Sequence, residues 1–90
     1  MSAFAYAKLI WVAQPIEEFV STLLAQRGRP APASPEQSLF LSGLLDSMDA
    51  MQTILFLEAE FGVDFSRHAF SLELIDSLER MVSLTESTGG

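Results

Sequence analysis

Ninety residues with twelve acidic and five basic side chains carry a net charge of −7, which excludes a surface of clustered Lys and Arg for nucleic acid and favours a basic protein partner. With no cysteine there is no disulfide framework, thiolate zinc site or cysteine nucleophile, so any thiol chemistry has to come from an attached group. A chain of this length forms one small domain, close to the size where only about 60% of the unfolded surface is buried and stability is modest.

The first fourteen residues read as an N-terminal extension. Ala3 to Ala13 is apolar apart from Lys8, but it falls short of the roughly 20 residues a membrane span needs. It also lacks a basic stretch ahead of the apolar run, so it is not read as a signal peptide. It reads as an extension of the first helix that packs or frays; the competing reading is an amphipathic contact using Phe4, Tyr6, Leu9, Trp11 and Val12.

Pro15 suits the first position of a helix, where its missing N–H is not needed, and a domain boundary is placed there. Ile16, Phe19, Val20, Leu23 and Leu24 then match the i, i+3, i+4, i+7, i+8 pattern of a buried stripe. Glu17 and Glu18 in the first turn and Arg27 at the end suit the helix dipole, and Gly28 stops the run. Pro30, Pro32 and Pro35 forbid a ladder or helix beyond that glycine, so residues 29–37 form an extended surface loop. Leu39, Phe40, Leu44 and Leu45 tack its far end onto the core.

The second helix runs from about Ser47 to Phe61, and Gly62 ends it. Asp46 and Ser47 are both good N-caps, because a short side-chain oxygen can accept a bond from an orphan backbone N–H. A phosphate ester on Ser47 would meet free N–H donors and the positive end of the dipole. Ile54, Leu57 and Phe61 form a core stripe with Ala50 and Phe56 beside it. Met48, Met51 and Leu55 fall together on another face, more apolar surface than one buried stripe can use. With Asp49 beside them they are read as a partner-docking surface, methionine suiting adaptable contacts. The bland alternative is a helix sandwiched on two sides.

Residues 64–70 read as a connector with a short third helix, Ser66 being its cap. Ser71 caps the last helix, with Glu73 in its first turn and Leu74 or Ile75, Leu78, and Met81 or Val82 facing inward. Fraying is expected from Thr85, and residues 87–90 form a disordered tail. A Ser47–His68–Asp46 triad is available on residue types. No strand–turn–helix elbow surrounds Ser47, however, and adjacent Asp and Ser do not easily serve one histidine, so the chain is read as a non-enzyme and His68 as an ordinary loop residue.

Leu39-Phe40, then Gly43-Leu44-Leu45-Asp46-Ser47-Met48, then Phe61-Gly62-Val63 beginning fourteen residues after the serine, resemble a carrier protein of the acyl, peptidyl or D-alanyl type, over about Pro15 to Glu86. The resemblance implies a small all-α four-helix bundle, three main helices plus a short third one. It also implies that Ser47, directly after Asp46, carries covalent 4′-phosphopantetheine whose thiol holds a cargo as a thioester. The implied partners are a phosphopantetheinyl transferase, an adenylating ligase or acyltransferase, and downstream biosynthetic enzymes. A discrete, cytoplasmic carrier without a membrane span is the resulting expectation. Gly-Leu-Leu-Asp-Ser is closer to the D-alanyl and peptidyl carriers, and Gln52 stands where fatty-acid carriers have glutamate, so an aminoacyl or specialised acyl cargo is expected. The alternatives are a fatty-acid or polyketide-type acyl carrier and an unmodified helical interaction domain. Asp76-Ser77-Leu78 imitates the attachment motif, but it is placed inside a helix and has too little chain after it.

Overall fold

A computed structural model of the chain describes residues 3–67 and 71–88, with side chains described for 13–66 and 71–86. Three α-helices, α1 (Ala3–Gln26), α2 (Ser47–Phe61) and α3 (Leu78–Thr88), are joined by short 3-10 turns at Phe65–Arg67 and Leu72–Ile75. No strand occurs among the described residues, so the fold is an all-helical bundle. Helix α1 packs chiefly on α3, while α2 packs on α3 and the Leu72–Ile75 turn. His68 and the glycine pair Gly89-Gly90 lie outside the described residues, as do the side chains of Phe4, Tyr6, Leu9, Trp11 and Val12.

The stripe expected of α1 is buried: Ile16, Val20, Leu23 and Leu24 are almost fully covered, and Phe19 lies half-buried beside them. Helix α1 starts at Ala3, as the reading of Ala3 to Ala13 as an extension of the first helix expects, and not at Pro15. Pro15 lies inside α1, with helix on both sides. Proline forfeits one i→i−4 bond there, but the flanking backbone keeps the helical path, so no helix boundary coincides with residue 15. At the other end Gly28 takes a left-handed φ of 70°, and its N–H donates to the Ala25 carbonyl.

The buried face of α2 is rotated from the expected one. Leu57 and the flanking Ala50 are covered as expected, but Asp49 and Thr53 join them in full burial, whereas Ile54 and Phe61 are only half-buried against the core. Apolarity alone misplaces the face because two of the buried residues are polar and satisfied. The Thr53 hydroxyl donates to the Asp49 carbonyl at 2.8 Å, and the Asp49 carboxylate takes a guanidinium from another helix end. Phe56 fills the gap between helices instead. It stacks on Phe19 of α1 with ring centroids 4.2 Å apart and meets Phe61 edge-on at 5.8 Å.

The connector after α2 also differs in detail. Asp64, not Ser66, does the capping there: its Oδ1 accepts from the Ser66 N–H at 3.0 Å and from the Ser66 hydroxyl. The last helix is broken in two. Ser71 precedes a single 3-10 turn without a capping bond from its hydroxyl, and α3 starts afresh after Ser77. Ser77 Oγ accepts from the Arg80 N–H at 3.2 Å, and the Pro35 carbonyl accepts from the Glu79 N–H at 3.0 Å. The first turn of α3 is thereby capped by its own serine and by the proline loop. Helix α3 then continues through Thr88, with Thr85 buried, so fraying does not set in at residue 85 and the helix extends into the expected tail.

Candidate functional site

Asp46 has extended backbone (φ −106°, ψ −173°) and is the N-cap of α2. Its Oδ1 accepts from the Asp49 N–H at 3.0 Å, and Asp49 Oδ2 accepts in return from the Asp46 N–H at 3.1 Å. This reciprocal pairing is a capping box with Asp in the place usual for Glu or Gln. It satisfies the third amide of the helix and leaves the amides of Ser47 and Met48 without a bond among the described residues.

Arg27, at the end of α1, clamps the box. Its Nε donates to Asp49 Oδ2 at 2.6 Å and its Nη2 to Asp46 Oδ2 at 2.5 Å. The hydrogen bond to Asp49 holds the Arg27 guanidinium above its ordinary pKa, burial opposing it and the charges of Asp46 and Asp49 adding to it. The Asp46 carboxyl is held below its ordinary value, first by the hydrogen bond from the Asp49 N–H and then by the charge of Arg27, with desolvation working against both. Asp46 is therefore a carboxylate at neutral pH.

Sequence reasoning missed this role of Arg27, because a contact 22 residues away leaves no periodic trace. Replacing it tests the clamp. Arg27→Met strands the buried Asp49 carboxylate, so the melting temperature falls and amide exchange in the first turn of α2 accelerates. Adding Asp49→Asn to that variant recovers part of the loss, because the stranded charge is gone. An Arg27→Met chain that melts like the wild type shows the clamp is idle.

Ser47 occupies the first helical position and is exposed. Among the described residues no hydrogen bond engages its hydroxyl. Other serines are committed elsewhere: Ser38 Oγ donates to Asp76, Ser42 Oγ to the Ser38 carbonyl and Ser66 Oγ to Asp64. Ser77, which shares the Asp-Ser pattern, stands at a helix start after all. What separates the two serines is burial: Ser77 is only 5% exposed and its hydroxyl caps α3.

The loop before the site is shaped by a left-handed Gly43 (φ 86°), whose N–H donates to the Phe40 carbonyl. Leu39, Phe40 and Leu45 are buried and Leu44 is half-buried. Met48, Met51 and Leu55 are exposed by 68%, 60% and 58%, and Leu41 on the preceding loop by 61%. Asp49, expected beside the methionines on that face, is instead 4% exposed, drawn inward by Arg27 and by its place in the capping box. No helix among the described residues is long and apolar enough to cross a membrane.

No curated protein matches the chain. A family model described as a phosphopantetheine attachment site does, over residues 17–84, from the first turns of the buried part of α1 through most of α3. Domains of this kind are generally non-catalytic and work with phosphopantetheinyl transferases and biosynthetic enzymes. A match over that span, on an all-helical bundle whose longest loop leads to an exposed helix-start serine, places the chain in the phosphopantetheine attachment family, carrier proteins that bear covalent 4′-phosphopantetheine.

Proposed function

We propose that Ser47 is the attachment serine and that the chain carries an acyl or aminoacyl group from one partner enzyme to the next. The observation that supports this best is the exposed, unengaged Ser47 hydroxyl directly after the N-cap Asp46. The surroundings fit a phosphodiester. Two open amides at the start of α2 and the positive end of its dipole favour an anion there, and Arg27 offsets the nearby Asp46 carboxylate.

A phosphopantetheinyl transferase supplies the arm from coenzyme A. The Ser47 oxygen forms a bond to the phosphorus next to pantetheine, the pyrophosphate bond breaks, adenosine 3′,5′-bisphosphate leaves, and the serine proton passes to a base of the transferase. Once attached, the arm offers a thiol that holds cargo as a thioester. The chain's own residues hold the arm's root in place and present it, so that cargo transfer becomes effectively intramolecular. An adenylating ligase or an acyltransferase loads the thiol, and downstream biosynthetic enzymes consume the cargo. The resemblance of Gly43-Leu44-Leu45-Asp46-Ser47 to the D-alanyl and peptidyl carriers favours an aminoacyl or specialised acyl cargo. Incubation with coenzyme A and a broad-specificity transferase should add the mass of one phosphopantetheinyl group, mapped to the peptide containing Ser47. A chain that gains no mass, or gains it elsewhere, refutes the assignment.

Met48, Met51 and Leu55 are the surface we assign to docking. They lie within about two turns of Ser47 and are exposed, and a partner must bring its own site to the arm's root. With Asp49 withdrawn and Asp46 shared with Arg27, the acidic edge beside them is weak, so encounter should depend only modestly on salt. Met51→Glu is expected to leave helix content and melting within about 0.5 kcal/mol of wild type, as for an exposed site, while slowing loading by the partner ligase. A folded variant with unchanged transfer by every partner tested sinks the docking face.

A further inference from the structure

We propose that Asp76 is a positioning residue for Ser47, fastening the segment 38–45 that delivers the chain to the first turn of α2. The proposal rests on the reading of Ser47 as the attachment site. Asp76 is 8% exposed and comes from the junction between the Leu72–Ile75 turn and α3, at the far end of the chain. Its Oδ1 accepts from the Phe40 N–H at 2.7 Å and the Leu41 N–H at 2.9 Å, and its Oδ2 from the Ser38 hydroxyl at 2.6 Å. Its backbone carbonyl accepts from the Leu39 N–H at 2.8 Å. One residue thus takes a donor from each of four successive residues.

The fastening is passed on toward the site. The Leu39 carbonyl accepts from the Leu45 N–H at 2.8 Å, which closes the segment on itself immediately before the N-cap Asp46. Ser38 ties the outer turn, its Oγ accepting from the Ser42 N–H and its carbonyl from the Ser42 hydroxyl. Segment 38–45 has no ladder or helix to define its path, so these bonds and the burial of Leu39, Phe40 and Leu45 define it.

A carboxylate suits this task better than any neutral side chain. Two oxygens with several lone pairs can satisfy three converging donors at once, and those bonds offset the cost of burying the charge. The same bonds hold Leu41 at the surface while Phe40 and Leu39 turn inward, so Asp76 also sets which side chains the loop shows to a docking enzyme.

The test uses the full chain with coenzyme A and a broad-specificity transferase, and compares Asp76→Ala, Asp76→Asn and the core variant Val20→Ala. Readouts are kcat and KM for phosphopantetheinylation and native-state exchange of the Phe40 and Leu41 amides relative to amides of α1. In Asp76→Ala those two amides should exchange about tenfold faster than in wild type while α1 is unchanged, because opening is local. Its kcat/KM should fall about tenfold, mainly through KM, since the reacting groups are untouched and only presentation suffers.

Asp76→Asn keeps an acceptor for the two amides and can donate to the Ser38 oxygen, so it should restore both readouts to within about threefold of wild type. Val20→Ala destabilises the bundle without changing KM. If Asp76→Ala leaves local exchange and KM like those of Val20→Ala, the proposal is overturned. Should Asp76→Ala fail to fold, Ser38→Ala carries the test: faster Phe40 and Leu41 exchange with a raised KM supports it, and unchanged values overturn it. A wild-type chain that gains no mass refutes the attachment reading instead, and the exchange measurement separates that failure from failure of the strap.

Discussion

Ser47→Ala is expected to abolish phosphopantetheinylation completely, while Ser77→Ala leaves it at the wild-type extent. Both serines come directly after an aspartate, and both stand at the start of a helix, so helix position does not choose between them. Burial does. Ser47 is exposed with an unengaged hydroxyl, whereas Ser77 is buried and uses its oxygen to accept from the Arg80 N–H. The preceding aspartates differ as well: Asp46 is on the surface with Arg27, and Asp76 is covered by the loop it holds. Removing the Ser77 cap should cost about 1 kcal/mol of stability, so both variants are assayed well below their melting temperatures and scored by intact mass. Loss of modification in Ser77→Ala with retention in Ser47→Ala would reverse the assignment.

How much of this was legible in the sequence depends on how far apart the interacting residues lie. The α1 stripe and the Gly62 stop of α2 are local patterns, and the stop appears with a left-handed φ of 68° and its N–H on the Glu58 carbonyl. The Asp46-Ser47 helix start is local too, although the division of labour is sharper than residue types suggest: Asp46 caps, and among the described residues nothing engages the Ser47 hydroxyl. The Arg27 clamp and the Asp76 strap were not legible, because each joins residues 19 to 38 positions apart. Both also reverse the usual inference from polarity. Asp49, Thr53, Asp76 and Ser77 look like surface residues in one dimension and are buried once their partners are supplied. None of the buried side-chain polar atoms among the described residues lacks a hydrogen-bond partner. The break before α3 was hidden for the same reason, since an apolar stripe runs from Leu74 to Met81 with helical spacing whether or not the backbone is continuous.

The rotation of α2 decides which core substitution is most damaging. Sequence periodicity treats Leu57 and Phe61 as equals on one stripe, and the larger aromatic would be expected to cost more. In the structure Leu57 is completely buried, whereas Phe61 is half-exposed and contributes an edge contact to Phe56. Leu57→Ala should therefore cost about 2–5 kcal/mol, the lost transfer energy plus a cavity among rigid neighbours. Phe61→Ala gives up partial burial and an aromatic pair worth about 0.5–1.5 kcal/mol, and its hollow opens to solvent rather than remaining as a void. Its total should stay below about 3 kcal/mol, the lower end for a buried Phe. A domain of this size holds roughly 0.05–0.15 kcal/mol per residue, so Leu57→Ala removes a large share of the stability and leaves a measurable unfolded fraction at 37 °C. Urea melts of the two variants, with equal m-values, provide the comparison. A larger loss for Phe61→Ala than for Leu57→Ala would return the buried face of α2 to the Ile54–Phe61 side and displace Thr53 and Asp49 from the core.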